Sequence, residues 1–210
     1  GTKFPGIPKI LFGHSMGSML SQQFIETHGD TLDAVILSGS PGFTGKASSL
    51  ISRLLVRFER WRLGPDQNSN LLNAMIFGSA NKPFAAPGAN GFEWLSRDTA
   101  QVSAYIDDPA CGFVPCTGAL FDMFKGATWT QRPDSVARIP GTLPVMIFSG
   151  KEDPVHGNMK NIERLLASYS ARGLNVTTHF YAGGRHEMLN ETNRDEVIGD
   201  VIGWLDKTVP

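Results

Sequence analysis

A serine framed by two glycines, Gly13-His14-Ser15-Met16-Gly17, follows the apolar run Ile7 to Phe12 and opens a helix-like segment. Such a spacing allows nucleophilic attack. A strand-to-helix turn this sharp strains the backbone of its serine, and glycine flanks remove side chains that would collide there. The helix start also aims free N–H groups at negative charge developing beside the serine. Ser15 is therefore the candidate nucleophile, and the Met16 N–H is the candidate for one half of an oxyanion hole. A bare five-residue match of this kind equally describes an ordinary turn or helix N-cap; the flanking strand and helix give it its chemical meaning.

A serine needs a base to take its proton and an acid to orient that base. Leu143 to Ser149 is a continuous apolar run, the pattern of a strand buried on both faces, and it leads into Gly150-Lys-Glu-Asp153-Pro154-Val155. Asp153 then lies just past a strand's carboxyl end, where open α/β sheets put their chemistry. Its short side chain ahead of a turn-fixing proline favours it over Glu152. A further strand, Asn175 to Tyr181, runs into Ala182-Gly-Gly-Arg-His186-Glu187. Of the five histidines, His14 is the variable residue of the elbow, His28 ends a helix, His179 lies mid-strand and His156 follows the acid loop. His186 alone follows a glycine-rich loop that lets an imidazole swing over a serine on another strand, and it completes the chain order Ser, Asp, His.

Three motifs, Gly13-His-Ser-Met-Gly17, Gly150-Lys-Glu-Asp-Pro-Val155 and Gly184-Arg-His-Glu-Met-Leu-Asn-Glu191, resemble the α/β-hydrolase family of monoacylglycerol lipases and bacterial lysophospholipases. Phe92-Glu-Trp-Leu-Ser-Arg-Asp98 with Asp108-Pro-Ala-Cys-Gly-Phe113 resembles its bacterial branch. The resemblance implies Ser15 as nucleophile, Asp153 as acid, His186 as base, a lipid ester as substrate, and neither cofactor nor metal. A peptidase or small-ester hydrolase with the same triad is the rival activity. In this family the strand before the elbow is the fifth of eight, and the second oxyanion donor comes from the loop after the third. The chain starts Gly1-Thr2-Lys3, so the expectation is a piece of a longer protein, inactive without its amino-terminal half.

The elements that must position these groups follow from the pattern. The expected fold is α/β: the carboxyl-terminal half of an α/β-hydrolase parallel sheet, with strands near 7–12, 34–37, 143–149 and 176–181. A helical cap is inserted between the second and third of these. Core residues are 1–40 and 141–210, and the cap is 41–140. The first helix presents Met16, Met19, Leu20 and Phe24 on one face and ends at His28-Gly29, with glycine at the usual terminating position. In the cap, Ala47, Leu50, Ile51, Leu54, Leu55, Phe58 and Trp61 form an apolar stripe opposite Arg53, Arg57 and Arg60. Packing of this stripe on the sheet is the favoured reading, and transient contact with a membrane surface is the other. Leu54 and Phe58 are the candidate substrate-binding residues. Segments 93–106 and 117–124 also read as helices, and a final helix covers 193–207.

Composition narrows the classes further. With 19 Lys and Arg against 20 Asp and Glu, the net charge of −1 carries no nucleic-acid footprint. No apolar run reaches membrane-span length; a cytoplasmic location is the expectation. Cys111 and Cys116 fit no zinc spacing and read as reduced thiols. Gly39-Ser-Pro-Gly-Phe-Thr-Gly45-Lys46-Ala47 imitates a phosphate-binding loop but has one residue too many between its glycines and lacks the Ser or Thr that would hold magnesium.

Overall fold

The computed structural model describes residues 5–209; the chain start at Gly1-Thr2-Lys3 lies outside them. Four strands, β1 (Ile10–His14), β2 (Ala34–Ser38), β3 (Val145–Gly150) and β4 (Val176–Tyr181), form one sheet in that spatial order. All three pairings are parallel. The helices are α1 (Met16–His28), α2 (Lys46–Leu63), α3 (Asn70–Asn73), α4 (Thr99–Asp107), α5 (Thr117–Thr130), α6 (Pro133–Val136), α7 (Lys160–Ser170) and α8 (Arg194–Thr208). Helices α2 to α6 all fall between β2 and β3. This is the architecture of a partial α/β-hydrolase fold.

Period-two alternation builds the layers. Val35, Leu37, Val145 and Ile147 face Ile25 of α1 and Ile162, Leu165 and Tyr169 of α7. Ile36, Met146 and Phe148 face the other way, onto Met188 and Val197 at the start of α8. Both central strands are buried throughout, as helices on both faces of a parallel sheet require. β1 pairs with β2 alone among the described residues, and its Ile10 and Phe12 stay 41% exposed. It begins three residues later than the sequence suggests, since Pro8 has no N–H to give a ladder.

One expectation about α1 is corrected. Its sheet-facing side carries Ser18, Ser21, Gln22, Ile25 and Glu26, while Met16, Leu20 and Phe24 share the exposed side. Gly29 does follow α1, but in right-handed helical conformation at φ −61. What demands glycine there is space, because a Cβ would stand 2.6 Å from the ring of Pro140.

Helix α2 also departs from the favoured reading. It packs on α5 through Val56 and Leu55, which join Leu72, Leu120, Phe121 and Phe124. The stripe Leu50, Ile51, Leu54, Phe58 and Trp61 faces outward, with Trp61 80% exposed. Residues 93–98 are irregular, and α4 begins at Thr99 because Asp98 caps it, accepting from the Ala100 and Gln101 N–H groups. A second cluster in the segment between β2 and β3, Ala80, Trp94 and Leu95 with Phe84 and Tyr105, reaches Val155.

Candidate active site

The elbow forms where β1 ends. His14 lies in register with Ser38, and the Ser15 N–H donates to the Ser38 carbonyl at 2.9 Å, so the chain turns directly into α1. Ser15 takes φ 54 and ψ −117, a conformation that costs a non-glycine residue roughly 1–3 kcal/mol. Gly13 makes the turn fit, since a Cβ there would lie 2.4 Å from the Gly17 carbonyl oxygen. Gly17 itself faces open space, so the collision expected on that flank is not seen. The Ser15 carbonyl accepts from Ser18 and Met19, which leaves the Met16 N–H at the helix start without a partner among the described residues.

Asp153 follows β3 and is almost fully buried, whereas Glu152 beside it is exposed. Asp153 Oδ2 accepts from His186 Nδ1 at 2.9 Å and from the Ser149 hydroxyl at 2.9 Å, while Oδ1 accepts from the Val155 N–H at 2.9 Å. Burial pushes this carboxyl up, but the charge and hydrogen bond of His186, the Val155 N–H and His156 outweigh it and hold it below the usual carboxylate range. With Nδ1 occupied by Asp153, Nε2 is the nitrogen of His186 left for a substrate or a serine. No hydrogen bond joins it to the Ser15 hydroxyl among the described residues.

His186 sits between two aromatic rings. Trp94, from the segment between β2 and β3, lies 5.0 Å away between centroids and His14 of the elbow 4.7 Å away. His14 Nδ1 meets the Ser38 hydroxyl at 3.0 Å. Burial, then the neighbouring charge of His186, lower its pKa to about 4 despite the opposing pull of Asp153. The remaining histidines are elsewhere engaged. His156 is buried, donates Nε2–H to the Gly150 carbonyl and accepts from the Met159 N–H, a wholly structural role. His179 pairs with Asp200, and His28 contacts Thr27.

The structure thus brings Asp153 and His186 together beside the elbow that carries Ser15 and Met16. Leu54 and Phe58 are placed differently, on the outer face of α2 at 58% and 50% exposure. The apolar cleft that begins at the elbow, about 450 Å³, runs between α1 and α5 and is lined by Met16, Met19, Leu20, Met123, Ala127 and Trp129 among others. Sequence reasoning missed Ser149, the packing of Trp94 against His186 and the wall that Lys125 to Trp129 give this cleft, while Ala119 to Met123 fall in a segment it offered as a possible acyl-chain lining. Ser149 was legible in principle, as a hydroxyl ending an otherwise apolar strand; Trp94 was not, since nothing local ties it to a loop ninety residues on. Among the described residues no group of three His, Cys, Asp or Glu could hold a metal ion, and both cysteines are free thiols.

Comparison with known proteins places this geometry among relatives. The family model described as serine aminopeptidase, S33, matches residues 1–193. A monoacylglycerol lipase of Mycolicibacterium smegmatis is 26% identical over 208 residues, which are 96% of this chain and 63% of that protein; the chain therefore spans less than two thirds of this curated relative. A thermostable carboxyl esterase from Bacillus coagulans, solved with glycerol, superposes with a TM-score of 0.88 at 24% identity, covering 100% of this chain and 67% of that one. A monoacylglycerol lipase from Paleococcus ferrophilus gives 0.70 at 20% identity, covering 95% and 68%. These likenesses to solved structures concern the fold.

Proposed function

The chain belongs to the serine aminopeptidase S33 family of α/β-hydrolases, and from that premise we propose that it is the catalytic part of a serine esterase acting on lipid esters through an acyl-enzyme. The carrying observation is the buried Asp153–His186 pair beside a strained serine elbow. His186 Nε2 takes the Ser15 proton as the hydroxyl oxygen attacks the ester carbonyl carbon. Asp153 keeps the Nδ1 proton in place and balances the imidazolium. The Met16 N–H donates to the oxyanion. Collapse expels the alcohol, which takes its proton from His186, and water then cleaves the acyl-serine with the same groups in reverse.

The cleft between α1 and α5 supports an acyl chain as the group transferred, since apolar area removed from water there contributes about 25 cal/mol per Å². Monoacylglycerols and lysophospholipids are the proposed substrates, in keeping with the named relative. The segment 41–140 acts as the cap over this cleft. The outer face of α2 supports docking to an anionic lipid surface: Leu50, Ile51, Leu54, Phe58 and Trp61 are exposed, Arg53 and Arg57 flank them, and the one acid of the helix, Glu59, is buried against Arg62 and Ser69.

The test is a serine-directed fluorophosphonate probe with peptide mapping, alongside hydrolysis of a monoacylglycerol and of an aminoacyl arylamide. Labelling at Ser15, lost in Ser15→Ala together with esterase activity, is the expected result. Labelling at Ser18 or Ser38 would overturn the assignment, and faster cleavage of the arylamide would make the protein a peptidase.

A further inference from the structure

The loop that carries His186 leaves β4 through Gly183 and Gly184, so little in its own backbone fixes the imidazole. The core holds the loop at Gly184, whose carbonyl accepts from the Glu152 N–H at 3.0 Å, and the cap supplies the remaining anchors around His186. The His186 N–H donates to the Trp94 carbonyl at 3.3 Å and the Glu187 N–H to the Leu95 carbonyl at 2.8 Å. Arg185 Nη1 donates to the carbonyls of Glu93 at 2.6 Å and Ser96 at 3.1 Å. In return the Ser96 hydroxyl donates to the Asn190 carbonyl at 2.8 Å. Two stretches of chain some ninety residues apart are thus laced together over consecutive residues.

Glu191 stands at the centre of that lacing and is fully buried. Its Oε1 accepts from the Arg97 N–H at 3.1 Å and the Arg185 N–H at 3.0 Å, and its Oε2 accepts from Arg97 Nε at 2.9 Å and the Thr192 N–H at 2.9 Å. Arg97 spends its remaining reach on Asn193, with Nη2 to Oδ1 at 2.9 Å. The carboxylate therefore binds the residue preceding His186 to a cap arginine, with each oxygen accepting from two N–H donors. A buried charge paired this completely holds geometry rather than adding much net stability.

We propose that Glu191, through Arg97 and the backbone of Arg185, is the positioning residue that fixes His186 against cap segment 93–98, so that the cap as well as Asp153 sets where the base stands. This rests on His186 being the base of the proposed reaction. The cap is then more than a cover. A cap movement that keeps the Arg97–Glu191 contacts would carry the His186 backbone with it and draw Nε2 away from Ser15, leaving base and cap closed together or displaced together.

Glu191→Gln is the test variant, because an amide can present one acceptor oxygen but must turn its NH₂ toward two N–H donors. Val56→Ala, which loosens the α2–α5 contact in a separate apolar cluster, is the control for a general loss of cap stability. On a short, water-soluble ester, Glu191→Gln should lower kcat about 10- to 100-fold with KM within about threefold, as expected when a misplaced base remains next to a bound substrate. Val56→Ala should lower the melting temperature and leave kcat unchanged. The downfield proton resonance of the His186 Nδ1–H to Asp153 bond gives a second readout that needs no turnover: it should be lost or broadened in Glu191→Gln and kept in Val56→Ala. A folded Glu191→Gln with unchanged kcat and an intact resonance would overturn the proposal. A wild-type chain that hydrolyses no ester is the outcome expected of a piece that needs its amino-terminal half, and the resonance alone would then decide the role of Glu191. Should Glu191→Gln not fold, Arg97→Lys, which keeps the charge but gives up the planar fork, is read by the same two measurements.

Discussion

The imidazole of His14 lies 4.7 Å from that of His186, tilted by 49°, and burial makes His14 resist taking a proton. His14 is the inner residue of the elbow, held by Ser38, with a pKa of about 4. An unfolded histidine takes its proton near pH 6.5, whereas His14 in the folded chain refuses it down to about 4, so its contribution to stability is lost as pH falls across that interval. The loss is at most about 3 kcal/mol, at roughly 1.4 kcal/mol per pH unit. His14→Gln can retain a hydrogen bond to Ser38 but cannot be charged, and should flatten this acid limb. Denaturant unfolding at pH 4.5 and 7.5 measures it; an unchanged pH dependence would mean that His14 titrates normally.

Asp153→Asn should leave the fold intact and lower kcat on any ester by about 10⁴-fold, the cost typical of a base held in the wrong tautomer. The amide still accepts from Ser149 or Val155, but it cannot balance an imidazolium. Substrate KM should change little. Since the Asp153 carboxyl sits below its ordinary range, its own stabilising contribution is present above that range and disappears as pH falls through the folded value. Melting curves should therefore show the Asn variant converging on wild type in strong acid, and a constant offset at all pH values would contradict this.

What the sequence made legible was local or ordered along the chain. The elbow, the acid after β3 and the histidine loop after β4 each carry their signal within about ten residues, and chain order links them. What it concealed depends on which side of a helix meets what. Leu50, Ile51, Leu54, Phe58 and Trp61 read as a buried stripe because apolar periodicity reports that a helix has a face, never which partner covers it. The structure covers the opposite side, where Val56 and even Glu59 are buried, the latter satisfied by Arg62 and Ser69. In α1 the same ambiguity hid polar Ser18, Gln22 and Glu26 against the sheet.

Glu26 gives a prediction of opposite sign to His14. Its carboxyl is 2% exposed with no well-formed hydrogen bond to either oxygen, and burial pushes it up to about 7 against the pull of Arg138 and the weaker one of the Trp129 side chain. The folded chain holds this proton where the unfolded chain has released it. The resulting stability is full below about pH 4.5 and fades as pH rises through 7. Glu26→Gln, neutral at every pH, should then be more stable than wild type at pH 8 by up to about 3 kcal/mol and nearly equal at pH 5. If the substitution destabilises at pH 8, the carboxylate has a partner in solution that makes its charge worth keeping.

The outward stripe of α2 predicts how the cap meets its substrate's source. Trp61, Leu54 and Phe58 would enter the interfacial region of a bilayer while Arg53, Arg57 and Lys125, which rim the cleft between α2 and α5, meet headgroup phosphates. Each basic residue near an anionic surface contributes about 1 kcal/mol, screened by salt. Co-sedimentation with vesicles containing anionic phosphatidylglycerol should thus exceed that with phosphatidylcholine alone and fall at high salt. Leu54→Ser with Phe58→Ser should weaken binding to both, whereas Arg53→Glu with Arg57→Glu should remove only the anionic preference. Turnover of a soluble short-chain ester should be unaffected by either pair, since none of the four residues lines the cleft that begins at Met16. If the serine pair instead abolishes a concentration-dependent dimer seen without lipid, the face belongs to a second copy of the chain, and the lipid-surface reading is wrong.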